Sequence, residues 1–118
     1  MRMRELQKLV VTALEDLKAV DVRVLDVRGK TTITDVMVVA SGTSDRHVKA
    51  LADGVIEKVK QRGSRPLGVE GEKQGEWVLV DLGDVVVHLM LPRVRDFYQL
   101  EKLWSVDEHV SGAGITAE

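Results

Sequence analysis

A chain of 118 residues has room for one domain and not for two cores. It is 44% hydrophobic and 31% charged, with a formal net charge of -2, which argues against a disordered chain and lacks the basic footprint of a protein held by phosphate neutralisation, though basic side chains clustered on one face leave nucleic acid nearby open. It has no cysteine, hence no disulfide, thiolate nucleophile or Cys-based zinc site, and no apolar run near the ~20 residues of a membrane span.

Leu6, Leu9, Val10, Ala13, Leu14 and Leu17 recur at helical spacing, so residues 3 to 18 are predicted to form an amphipathic helix. The N-terminal run MRMRELQKLVV enters that helix without a cleavable apolar leader, and the cytoplasm is the default location. Val22 to Val27 reads as a strand turning at Arg28-Gly29-Lys30, and Ile33 to Ala40 as a second, central strand. Thr43 or Ser44 caps a second helix with Val48, Leu51, Ala52, Val55, Ile56 and Val59 on its buried stripe, ended by Gly63. A short strand at Leu67 to Glu70 precedes a hairpin of Glu76 to Leu82 and Val85 to Leu91, joined at Gly83-Asp84. Pro92 opens a last helix reaching Trp104, and residues 105 to 118 read as a flexible tail.

The order α-β-β-α-β-β-β-α predicts one α/β domain over residues 1 to 104, with a mixed five-stranded sheet and helices on both faces. A crossover from the strand at Val36 to the strand at Val69 is expected to be parallel.

Three groups of residues are candidate sites. Ser41 to His47 follows a strand and opens a helix, where free N–H groups attract phosphate. It lacks the glycines and lysine of a P-loop, and the bland reading is a capped helix start. Asp81 and Asp84 bracket the turn D-L-G-D; two carboxylates can bind Mg²⁺, but Asp and Gly are also what such a turn demands. His47, His88 and His109 lack metal-ligand spacing, and His88 reads as a solvated or hydrogen-bonded strand residue. No catalytic or metal set emerges from these groups.

The hairpin and last helix carry more. Phe97, Leu100 and Trp104 share one helical stripe, the expected core face, while Tyr98 lies off it beside Val94. Trp77, Leu82, Met90 and Tyr98 are then apolar side chains without an obvious burial site, with Asp81, Asp84 and Arg95 as a polar margin. That combination matches interface anatomy better than a catalytic pocket.

The runs DLKAVDVRVLDVRGKTTITDVMVV, SGTSDRHVKALAD, PLGVEGE, EWVLVDLGDVVVHLM and FYQLEKLW together closely resemble the ribosomal silencing factor family, also called Iojap-like proteins, over about residues 5 to 104. The resemblance implies a nucleotidyltransferase-like αβα sandwich without that enzyme's catalytic site. It also implies a translation repressor that binds the large ribosomal subunit through its protein number fourteen. The bound factor blocks joining of the small subunit when nutrients are scarce. A homodimer and no cofactor are implied, and peripheral contact with ribosomal RNA stays open. Position by position, docking falls on Trp77, Asp81, Leu82, Asp84, Met90, Arg95 and Tyr98. Leu91-Pro92-Arg93-Val94 departs from the more acidic linker of many members. The alternative reading is a nucleotide-binding, nucleotidyltransferase-like enzyme using Ser41 to His47 with Asp81 and Asp84; another is a scaffold that pairs only with itself.

Overall fold

Apolar residues at three- and four-residue spacing bury one stripe of α1 (Met3–Asp16), with Leu6, Val10, Ala13 and Leu14 inside. The Glu5 carboxylate accepts the Arg2 N–H at 3.2 Å, satisfying one of the free donors at the helix start. The computed structural model describes residues 1–32, 34–103 and 107–109. In α2 (Asp45–Gln61) the Ser44 hydroxyl accepts the His47 N–H at 3.1 Å, which makes Ser44 the cap of the two candidates Thr43 and Ser44. Val48, Leu51, Ala52, Val55 and Val59 are its buried stripe, and Gly63 leaves it with φ +83.

The strands are β1 (Val20–Asp26), β2 (Val36–Ser41), β3 (Gly68–Glu70), β4 (Trp77–Asp81), β5 (Val85–Met90) and β6 (Asp107–His109). They form one sheet in the order β3-β4-β5-β2-β1-β6. β2 and β5 are the parallel pair, in register from Val36↔Val85 to Ser41↔Met90. Every residue of β5 is buried, as a strand covered on both faces requires. The other pairs are antiparallel. β3 therefore runs in the direction of β2, as expected, but at the far edge of the sheet, with β5 and β4 between them.

The five expected strands are present. β6 adds a sixth at the β1 edge, pairing Arg23↔His109 and Leu25↔Asp107. It falls inside the segment read from sequence as a tail; Ile33, expected to start the second strand, and residues 104–106 and 110–118 lie outside the described residues.

Two layers of apolar side chains hold the sheet. On one face α1 and α2 bring Val10, Leu14, Leu51 and Val55 against Val38, Val80, Val87 and Leu89. Burying each such Val or Leu stabilises the fold by about 1.5–3 kcal/mol. On the other face Leu25, Val27, Val39, Met90 and Val94 pack together, with Trp77, Leu91 and Leu100 at their margin. The fold is thus the expected α/β sandwich with helices on both faces, the second layer being much the smaller.

The last helix differs from its expected length. α3 (Pro92–Tyr98) stops at Gln99, which takes a left-handed φ of 49 and donates its N–H to the Arg95 carbonyl at 2.8 Å. A single 3-10 turn (Leu100–Leu103) follows.

Candidate partner-docking surface

β4 and β5 pair Trp77↔Met90 and Leu79↔His88. Alternation then puts all four side chains on one sheet face. The Leu91 N–H continues the pairing, donating to the Glu76 carbonyl at 2.9 Å, and Pro92 starts α3 immediately afterwards. The short connection returns α3 over the Trp77–Met90 end of that face, where Val94 packs on Met90.

The helix delivers two aromatic rings to Trp77. Tyr98 lies with its ring centroid 4.8 Å from that of Trp77, the planes tilted by 51°. Phe97 meets Tyr98 edge-on at 4.9 Å and 84°. Such offset pairs are favourable beyond their area alone. Phe97 is nevertheless 79% exposed and Tyr98 53%, so the rings are braced against each other while open to solvent. Glu76, Trp77, Arg93, Val94, Phe97 and Tyr98 line a shallow cleft here. The exposed Arg93–Glu76 ion pair, at 3.1 Å, gives it a polar margin of both signs.

Under the rings lies His88. Its Nδ1 accepts the indole N–H of Trp77 at 3.0 Å. Burial pushes the imidazole down from 6.5 to about 4, because a charged ring would lose its hydration there. The ring is neutral at pH 7, with its proton on Nε2. Of the two expectations from the sequence, solvated or hydrogen-bonded, the second is met: His88 is hydrogen-bonded and buried.

A family model described as ribosomal silencing factor during starvation matches residues 1–118. The chain belongs to the ribosomal silencing factor family. A ribosomal silencing factor of Chromobacterium violaceum is 52% identical over 104 residues, covering 88% of this chain and 85% of that protein. One from Haemophilus influenzae is 44% identical over 100 residues, covering 85% of this chain and 98% of that one. A crystal structure of a Chromobacterium violaceum protein superposes with a TM-score of 0.86 at 49% identity, covering 96% of both chains.

In this chain the seven residues expected to dock do not form one patch. Trp77 and Tyr98 come together as described. Met90 is completely buried beneath them, and Arg95 is 6% exposed. The Arg95 guanidinium donates to the Ser41 hydroxyl at 3.1 Å and the Val20 carbonyl at 3.4 Å, and pairs with the Asp21 carboxylate at 3.4 Å. Met90 is therefore core and Arg95 a buried anchor of α3, which corrects the expectation of an apolar contact and a rim charge.

Asp81, Leu82 and Asp84 sit at the hairpin turn, four residues and about 13 Å along the strand from Trp77. Asp81 accepts the Gly83 N–H at 2.9 Å, fixing the turn, while Gly83 itself has φ +90. Leu82 is half-buried against the α1/α2 core, on the opposite sheet face from Trp77. The Asp84 carbonyl accepts the Val36 N–H at 3.0 Å and ties the turn to β2, while its side chain is exposed.

Phe97 is the residue that the sequence reading assigned to the core and the structure places outside. Four of the backbone donors considered for phosphate at Ser41 to His47 are occupied, the Gly42 N–H by the Met90 carbonyl at 3.1 Å. The Thr43 N–H donates to His47 Nδ1 at 2.8 Å, the Arg46 N–H to Asp45, and the His47 N–H to Ser44. His47 Nε2 in turn bonds the Leu17 carbonyl at 2.8 Å, joining the start of α2 to the end of α1.

Proposed function

We propose that this protein docks on the large ribosomal subunit, chiefly on its ribosomal protein number fourteen, and keeps the small subunit from joining. The observation that carries the reading is the cluster of half-buried Trp77 with exposed Tyr98 and Phe97, the Glu76–Arg93 pair at its edge. Braced aromatic rings lose little conformational freedom on binding and make strong anchors. Membership of the ribosomal silencing factor family supports a ribosomal partner. The mechanism is exclusion without chemistry: the hairpin and α3 lie on the large subunit, and the domain behind them occupies the approach path of the small one. Because the factor binds only the separated state, it represses translation according to its affinity and concentration. The protein acts in the cytoplasm, and a second copy and nearby ribosomal RNA are further partners in this reading.

The test is subunit joining followed by light scattering, with purified subunits and the large one preincubated with the protein. The expected result is loss of joining, relieved by Tyr98→Ala, which should weaken binding by about 1–4 kcal/mol. Unchanged joining at saturating protein, with active subunits, would overturn the mechanism.

A further inference from the structure

Trp77 is useful as an anchor only in the side-chain rotamer that sets its ring against Tyr98, and a half-buried indole has others available. The group that restricts it comes from β5. Trp77 pairs directly with Met90, so His88, two residues earlier, is its diagonal neighbour on the same face. At 8% exposure His88 is too deep to touch a partner protein. Its ring centroid lies 5.9 Å from that of Trp77, and the one polar contact it makes with the indole is the 3.0 Å bond to Nδ1. Burial keeps the imidazole neutral, so Nδ1 carries the lone pair that the indole N–H needs. Val86, Val87, Leu89 and Met90 flank it along β5, and an apolar residue would fill the space without the cost of desolvating a polar ring.

We infer that His88 is a positioning residue of the docking surface: it holds the Trp77 indole in the orientation that braces Tyr98. The partner then meets an aromatic ledge formed before binding, and less ordering is left to the binding step. This inference rests on the docking reading given above.

The test compares His88→Leu, which removes the acceptor and keeps apolar bulk, with His88→Asn, whose amide oxygen lies near the place of Nδ1. Binding of each full-length protein to purified large ribosomal subunits is measured. A lost hydrogen bond predicts about 5- to 10-fold weaker binding for His88→Leu, with His88→Asn within about 2-fold of the parent. In a Trp77→Phe background, which has no indole donor, His88→Leu should have no further effect. In the free protein the Trp77 indole N–H resonance should shift and exchange faster in His88→Leu but not in His88→Asn. The chain has two tryptophans, and Trp104→Phe assigns the signal.

Equal weakening by Leu and Asn, or full additivity with Trp77→Phe, would overturn the positioning role. So would a folded His88→Leu that binds like the parent. If His88→Leu does not fold, the Asn variant and its indole resonance carry the decision: an indole free to exchange overturns the proposal. Parent-like binding by Trp77→Ala would instead overturn the docking reading. The indole resonance would still show separately whether His88 fixes Trp77.

Discussion

His88 gives the fold a pH dependence whose sign and size follow from its burial. The folded protein resists protonating this ring until about pH 4, whereas the unfolded chain takes up the proton near its ordinary value of 6.5. Between those values the unfolded state holds more protons, so stability is fully present above 6.5 and falls as acid is added. The gap corresponds to about 3 kcal/mol, of which about 2 kcal/mol is gone near pH 5. Against a total stability of about 5–15 kcal/mol for a small domain, that is a large fraction.

Urea unfolding of the parent and His88→Leu at ~pH 7 and ~pH 5 measures it, because the slope of stability with pH reports proton uptake on unfolding. His47 and His109 are present in both proteins and cancel in the difference. Asp26 does not interfere. Its side-chain and backbone hydrogen bonds with Arg28 hold it at about 2, and its contribution is lost only as pH falls below 3.8. The parent should lose about 2 kcal/mol more than the variant between the two conditions. Equal losses would refute the argument that the buried ring is kept neutral by desolvation.

Three other perturbations separate surface from scaffold. Phe97→Ala should change stability by less than about 0.5 kcal/mol, since so exposed a ring adds little to the fold. It should still weaken ribosome binding; a large drop in the urea midpoint would show instead that the ring is structural. Gly71→Ala should destabilise by at least about 1 kcal/mol, because Gly71 has φ +87 and a Cβ there would collide with the Trp77 carbonyl. An unchanged Tm would contradict that geometry. Leu51→Ala, at a fully buried α2 position, should cost about 2–5 kcal/mol in urea unfolding. A smaller loss would mean that α1 and the sheet close over the cavity.

What was legible in the sequence is what local periodicity encodes. The stripes of α1 and α2, the Ser44 cap and the Gly83-Asp84 hairpin each depend on neighbours within a few residues. Which strand β2 pairs with was not legible. β2 and β5 are apolar almost throughout, so neither face carries a label, and their pairing spans α2, β3 and β4. The same continuity hid the burial of Met90, since alternation distinguishes inside from outside only where one face meets water.

The misplaced aromatic stripe has a definite physical source, and it lies in Arg95 and Gln99. Had the helix run unbroken to Trp104, Phe97, Leu100 and Trp104 would have been its natural apolar face. The left-handed turn at Gln99 removes the last two from α3, so the helix must choose its face from about two turns. It chooses Val94 and Arg95, the two residues it buries. At about 100° per residue, Tyr98 falls about 10° from the middle of that face and Phe97 about 110° away from it. Rotating α3 to bury Phe97 would pull the Arg95 guanidinium from the Ser41 hydroxyl, the Val20 carbonyl and the partly exposed Asp21 carboxylate, and each hydrogen bond made by a charged group is worth about 1.5–3 kcal/mol. Burying one phenyl ring gains about 1.5–3 kcal/mol, which does not offset that cost. A charged anchor inside the protein is therefore what keeps an aromatic ring outside it.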